Sequence, residues 1–213
     1  MRRSAALLPS ATAAFAVAAV LAAVLWCAAP AAHAARIDVA PGASVQAALD
    51  AARDGDEIVL AEGRYEGDLD FRGKAVTVRG SGPQTVLAGS GTGPVVRFES
   101  GEGAGSVLDS VTVTGGRAVA GGGVLVRGAG PVIVRCVITR NRASATGSGI
   151  HVDQGSRALI VNDLIAYNRR DGGGDPHGIE ISGASPLVLH NTICRGDSNG
   201  IIVRGDSDAV IAH

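Results

Sequence analysis

Apolar residues return along this chain at regular intervals. Leu108, Ile133, Ile160 and Val188 form one column, and Val113, Ile138, Ile165 and Ile193 form a second with the same three steps. Val96, Val124, Ile150, Ile179 and Ile201 make a third. The period is roughly 27 residues, which lies in the range of solenoid repeats. Within a copy such as Pro131-Val-Ile-Val-Arg-Cys-Val-Ile-Thr-Arg-Asn141, the apolar residues of a column lie two apart. That is the period of a strand and not of a helix. Short strands repeated at this length predict an all-β solenoid in which every coil stacks on the last. Between the first two columns, Val111, Cys136, Asp163 and Asn191 make a mixed ladder of the kind stacked turns produce.

Ahead of the repeats, Ile37 and Val39 predict a short strand and Pro41-Gly42 a turn. Ser44 is placed to cap a short helix with Val45, Ala48, Leu49 and Ala52 on one face. Such a helix belongs over the open end of the solenoid, where strand edges and apolar interior would otherwise meet water. Arg53-Asp-Gly-Asp56 ends it, and the sheet starts at Glu57-Ile-Val-Leu60. Corners carry glycine and proline, as in Gly80-Ser-Gly-Pro83 and Gly91-Thr-Gly-Pro94. Asn141, Asn162 and Asn168 sit at or near corners, where asparagine tolerates left-handed backbone. His190 shares a turn column with Arg135 and Asn162, and Lys74 follows Gly73 in a turn, so both read as surface or corner residues. The step from Ile150 to Ile179 is the longest in its column and holds an insertion, Arg169-Arg-Asp-Gly-Gly-Gly-Asp-Pro-His177. Insertions in solenoids become loops on one face, and such loops often carry function.

The segment Ser44-Val-Gln-Ala-Ala-Leu-Asp-Ala-Ala-Arg-Asp-Gly-Asp-Glu-Ile-Val-Leu-Ala-Glu-Gly-Arg-Tyr65 resembles the opening of right-handed parallel β-helix proteins of the pectate lyase-like superfamily. Pectin methylesterases, polysaccharide lyases, mannuronan C5-epimerases and periplasmic copper-accessory proteins belong to that group. Asn191-Thr-Ile193 is similar as well, so the likeness covers nearly all of residues 36–213. It implies a right-handed parallel β-helix with a short N-terminal capping helix, and it carries a scaffold more than an activity. Gly63-Arg-Tyr-Glu66 resembles the first motif of pectin methylesterases, but their later carboxylate- and glutamine-bearing segments are absent. Asp175-Pro-His177 resembles the Asp-Pro-His core of mannuronan C5-epimerases, which implies an active-site role for Asp175 and His177. Here Gly178 follows that core, and the nearest acid is Glu180.

Composition adds a compartment. Arg2 and Arg3 precede an apolar run from Ala11 to Cys27, then Pro30 and Ala32-His33-Ala34. This is the pattern of a secretory signal over residues 1–34 cut after Ala34, with a domain at residues 35–213 that is secreted or periplasmic. The run is short for a membrane span of ~20 residues, so no retained span is expected. Trp26 before Cys27 argues against a lipid anchor. The whole chain carries −1, and losing two arginines with the leader leaves it more acidic, so there is no nucleic-acid footprint. Glycine at 31 of 213 positions fits a solenoid of turns and short strands. Cys136 and Cys194 fall two coils apart in different columns. Strands stack at ~4.8 Å, which puts these cysteines roughly 10 Å apart, beyond disulfide reach; both read as small buried packing residues. The chain stops at His213, part-way into a coil, which predicts a truncated C-terminal end.

Residues between the inward ones on the glycine-led strand should point outward. They give two exposed columns: Arg97, Leu125, His151, Glu180, Ile202, and Glu99, Arg127, Asp153, Ser182, Arg204. Stacking sets His151 beside Glu180, with Arg127 and Asp153 adjacent and Asp175 and His177 arriving from the insertion. An imidazole among carboxylates can remove and return a proton, and an arginine can hold a sugar carboxylate. The catalytic candidates are therefore His151, Asp175, His177 and Glu180, with Arg127 and Asp153 binding substrate. Asp153, Asp175 and Glu180 could also take a divalent cation such as calcium. The leading expectation is an exported protein that acts on or binds acidic polysaccharide, with lyase or C5-epimerase chemistry if it is an enzyme. The competing expectation is a non-catalytic surface, adhesion or accessory module whose charges are simply solvated.

Overall fold

The stacked columns set the architecture. The computed structural model describes residues 34–171, 177–194 and 200–213. In it Leu108, Ile133, Ile160 and Val188 pair strand to strand in parallel, as do Val113, Ile138, Ile165 and Ile193. The third column pairs in the same way from Val96 to Ile201. Every sheet pairing is parallel, and parallel crossovers of this kind wind to the right. The predicted leader lies, apart from Ala34, outside the described residues. So do Asp175 and most of the insertion around it.

Each complete coil crosses the same faces in turn. One strand joins a six-stranded sheet, as Val124–Arg127 does, and the next joins an eight-stranded sheet, as Val132–Val134 does. A third joins a second six-stranded sheet, as Val137–Thr139 does. Leu108, Ile133, Ile138, Ile150, Ile160 and Ile165 fill the interior between these sheets and are fully buried. Each such side chain contributes about 2 kcal/mol by leaving water. A slip of one residue in any strand would turn its inward set to solvent, so the register is held by the core itself.

The helix Val45–Ala51 closes the N-terminal end as expected. Ser44 Oγ accepts the Ala47 N–H at 3.1 Å, and Val45, Leu49 and Ala52 are buried. Its Gln46 side chain completes the edge of the first six-stranded sheet: Oε1 accepts the Asp70 N–H at 2.8 Å and Nε2 donates to the Asp70 carbonyl at 3.1 Å. Lys74 closes the other end of the helix. Its Nζ donates to the carbonyls of Leu49, Asp50 and Ala52 at 2.8, 2.6 and 2.8 Å, groups the helix leaves without an internal partner.

The corners follow two different rules. Arg135, Asn162 and His190 all adopt left-handed backbone, with φ of 55°, 57° and 54°, so the predicted turn column holds. At the next corner the left-handed residues are Arg140 and Tyr167, φ 56° and 58°, and not Asn141 and Asn168. Those two asparagines point inward instead. Asn141 Nδ2 donates to the Val113 carbonyl at 3.0 Å and its Oδ1 accepts the Gly116 N–H at 2.9 Å. Asn168 repeats this one coil on, donating to Ile138 O at 2.8 Å and accepting Asn141 N–H at 3.0 Å. An amide offers a donor and an acceptor at once, so it can satisfy buried backbone groups that a turn would leave orphaned.

One element is not anticipated by the apolar pattern. Arg117–Ala120, Arg142–Thr146 and Arg169–Arg170 form a three-stranded parallel sheet between the second six-stranded sheet and the first. Gly147 then carries the chain back at a φ of +51°, so close to the following strand that a Cβ there would lie 2.5 Å from the Ile150 carbonyl and 2.9 Å from His151 Cβ. Only glycine fits that approach.

The cysteines are both free, as expected, but only Cys136 is buried. Cys194 is exposed, because it lies on the Thr192–Cys194 strand, whose outer residues face solvent.

Candidate functional site

The strands Val124–Arg127, Ile150–Asp153 and Ile179–Ser182 lie side by side, with Leu125 opposite His151 and His151 opposite Glu180. The predicted neighbours are therefore real neighbours. The predicted exposure is not: His151 is 5% and Glu180 3% exposed, and Leu125 is buried with them. The close return of the chain at Gly147 lies against His151, and Leu125, His151 and Glu180 are covered, whereas Arg97 and Ile202 at the ends of this column, and Arg127, Asp153 and Arg204 of the second, keep contact with solvent.

Charge on that face is matched within the protein. Arg127 holds Asp153 through Nε at 3.1 and 3.2 Å and Nη2 at 3.0 Å, and its Nη1 lies 3.2 Å from Glu99 Oε1. The bonds to Asp153 hold the Arg127 guanidinium above its ordinary value, against the opposing effect of partial burial. His151 Nε2 turns toward Asp153 Oδ2 at 3.3 Å and not toward Glu180. Glu180 Oε2 accepts the Gly147 N–H at 3.2 Å, and its Oε1 lies 3.4 Å from Arg204 Nε.

His177 reaches the same neighbourhood by its backbone. Its carbonyl accepts hydrogen bonds from Ser148 N at 3.0 Å and Ser148 Oγ at 2.9 Å. The ring is buried, 4% exposed, and lines a narrow crevice with Ala143, Thr146 and Arg170. Among the described residues, Nδ1 of His151 and Nδ1 of His177 are both buried without a hydrogen-bond partner. The structure thus gathers His151, His177 and Glu180 around the Gly147–Ser148 backbone, and Arg127 and Asp153 just beside them. Asp175 lies outside the described residues.

Of the three residues named for a cation, Asp175 lies outside the described residues and the other two are engaged within the protein. Asp153 is held by Arg127, and Glu180 by Arg204 and a backbone N–H, so neither presents free oxygens at a common point. Among the described residues, no group of three or more His, Cys, Asp or Glu side chains is placed to hold a metal ion.

A family model described as "Right handed beta helix region" matches residues 70–213. The chain belongs to the right-handed β-helix family. No curated protein and no solved structure matches it. A β-helix is a scaffold, and what its outer faces do depends on the residues set on them.

Sequence reasoning missed three features of these faces. Glu99 and Arg204 were placed in the right column, but their role as ion partners depends on side-chain reach. The inward asparagines at 141 and 168 look like corner residues because the left-handed position is one residue earlier. The arginines of the three-stranded sheet recur from Arg117 to Arg142 to Arg169 with the same two steps as Leu108, Ile133 and Ile160. That repeat is a signal the sequence carries.

Proposed function

We propose that this β-helix is exported and binds an acidic polysaccharide without reacting on it. One observation carries the reading. His151 and Glu180, the pair best suited to move a proton, are buried against the Gly147 backbone, with His151 Nε2 turned to Asp153 and the Glu180 oxygens to Arg204 and a backbone N–H. A general base must come within about 3 Å of the proton it takes, and a covered pair cannot approach C5 of a sugar ring in a polymer. Arg127, the residue expected to neutralise a uronate carboxylate, has its charge met by Asp153 and Glu99.

Export rests on the leader pattern of residues 1–34. The polysaccharide rests on the likeness to the pectate lyase-like superfamily, whose scaffold also serves proteins that are not enzymes. The Asp175-Pro-His177 likeness to epimerases gives the rival reading.

Incubating the protein with polygalacturonate and with alginate, with and without calcium, separates the two. The expected result is retention of the polymer with no absorbance from unsaturated sugars and no exchange of the C5 proton with solvent. Either signal, abolished by His177→Ala, would establish lyase or epimerase chemistry and overturn the binding reading.

A further inference from the structure

Two independent observations meet at Ala35. The Ala32-His33-Ala34 pattern sets the expected leader cut between Ala34 and Ala35. The fold, for its part, places the backbone N–H of Ala35 against a carboxylate: Asp56 Oδ1 accepts it at 2.8 Å. Sheet pairing starts at the same residue. The Ala35 carbonyl accepts the Glu57 N–H at 2.8 Å, and Arg36–Val39 then runs in register along Glu57–Leu60.

Asp56 is a fixed acceptor. It is buried, and its Oδ2 takes the Arg53 N–H at 2.8 Å. Its own N–H donates to the Arg53 carbonyl at 3.0 Å, and its carbonyl accepts the Thr77 N–H at 3.0 Å. The Arg53 and Ala35 N–H groups hold the carboxyl below the usual aspartate value, so it is a carboxylate at neutral pH. Both oxygens thus take backbone N–H groups, and no side-chain cation is bonded to them among the described residues. Arg53 and Lys74 lie close enough to act on the charge, but Lys74 Nζ is bonded to the three carbonyls at the helix end. The other charged neighbours of Ala35 have their own partners, Arg36 with Asp38 and Glu57 with Arg79.

We infer that leader removal completes this site: the new α-ammonium of Ala35 stays where its amide was and forms an ion pair with Asp56 that pins the first strand of the β-helix. The inference rests on the export reading above and adds to it a docking site for the processed terminus. Hydrolysis adds water across the Ala34–Ala35 peptide bond and leaves a carboxylate on Ala34 and an ammonium on Ala35. The ammonium keeps the N–H that Asp56 already holds and turns its other two to water, since Ala35 is exposed. A charged donor makes that bond roughly twice as strong as the amide did. An uncut chain has only the amide, and a cut one residue away moves the charge by ~3.4 Å along the strand, off Oδ1. The site therefore reads where the cut is made.

Mass spectrometry of the protein secreted by a bacterial host should find Ala35 at its N-terminus. Docking is tested separately on residues 34–213, which form one compact unit, released from a fusion so that the chain starts at Ala35 or one residue earlier at Ala34. Each form is made with and without Asp56→Asn, which keeps an acceptor for the two N–H groups, and melting followed by circular dichroism confirms that each folds. Acylation with limiting reagent at neutral pH reads the free α-amine, and Lys74, the only lysine, is the one other amine in the chain. With Ala35 first, the α-amine should react about tenfold more slowly than in the Asp56→Asn form, the effect of a midpoint raised by about one unit. With Ala34 first, the substitution should change little. The Ala35-first protein should also melt above the Ala34-first one near pH 6 and lose that margin as pH rises through the raised amine midpoint. Equal reactivity with and without Asp56→Asn, the same difference in the Ala34-first pair, or a secreted protein that starts elsewhere would each overturn the docking. Failure of the full chain to be secreted would instead sink the export reading and leave the amine measurement standing.

Discussion

Asp163 Oδ1 accepts the backbone N–H of Cys136 at 2.6 Å, and one coil later Asn191 Oδ1 accepts the N–H of Asp163 at 2.8 Å. An acid therefore occupies an amide's place in a buried ladder. Asn191 completes its rung by donating from Nδ2 to the Ile160 carbonyl at 2.8 Å, whereas Asp163 Oδ2 is buried with no partner among the described residues. A protonated Asp163 has a donor to offer there and a carboxylate has none. Burial pushes this carboxyl up from the ordinary aspartate value to about 7, against the lowering effect of the Cys136 and Val161 backbone N–H groups.

The consequence for stability has a definite sign. Below pH 4 Asp163 is protonated in both folded and unfolded chains and costs nothing. Between the ordinary aspartate value and about 7, folding takes up a proton, so stability falls as pH rises through that window and then levels off. The total loss is on the order of 4 kcal/mol, at about 1.4 kcal/mol for each tenfold difference in proton affinity. Asp163→Asn removes the effect. The difference in Tm between the protein and Asp163→Asn should be smallest near pH 4 and grow in favour of the variant up to about pH 7. A difference that stays constant with pH would contradict the protonated ladder.

The two thiols should react differently. Burial, aided by the nearby Asp163 charge, pushes the Cys136 thiol far above the usual range, while Cys194 is exposed. The thiolate is the reactive species, so a maleimide should label Cys194 in the folded protein and reach Cys136 only in denaturant. Peptide mapping by mass spectrometry reads this directly, and labelling of Cys136 under native conditions would show that its coil is not packed as described.

Lys74→Met should destabilise the N-terminal end. The substitution keeps most of the apolar stem but removes three charge-assisted donors from the carbonyls of Leu49, Asp50 and Ala52. A loss of about 1–2 kcal/mol in urea unfolding is expected, with faster hydrogen exchange at Ala48 and Ala52 first. If stability and exchange are unchanged, the helix end is held by something else.

Gly147→Ala probes the cover over His151. The added methyl would press on the Ile150 carbonyl and His151 Cβ at a backbone angle that disfavours alanine, so a loss of about 2 kcal/mol or more is expected. Thermal denaturation measures it, and a variant as stable as the parent would mean that the segment yields easily and the pair beneath it is accessible.

The parts of the fold that could be read from sequence are those written in apolar period. The columns through Ile133, Ile138 and Ile150 were legible because each inward residue recurs coil after coil, and the pairing His151 to Glu180 followed from the register alone. Their burial did not follow. It depends on Gly147 bringing backbone within contact of the strand, and on a three-stranded sheet whose Arg-Ala-Ser-Ala-Thr segment has no large apolar face to announce it. Asp163 stands in its column in the sequence, but its neutral state depends on a carboxyl oxygen left without a donor, a matter of atoms rather than residue types. The arginine ladder was legible in principle, at the same steps as the core.

The most direct measurement is a titration of the isotope-labelled protein with galacturonate oligomers, followed through backbone amide shifts together with the sugar signals. Saturable shifts are expected at solvent-facing residues, with little change at the buried Leu125, His151 and Glu180 and sugar signals that broaden without new unsaturated species. Shifts centred on His151 and Glu180, or unsaturated product appearing in the tube, would contradict the binding reading.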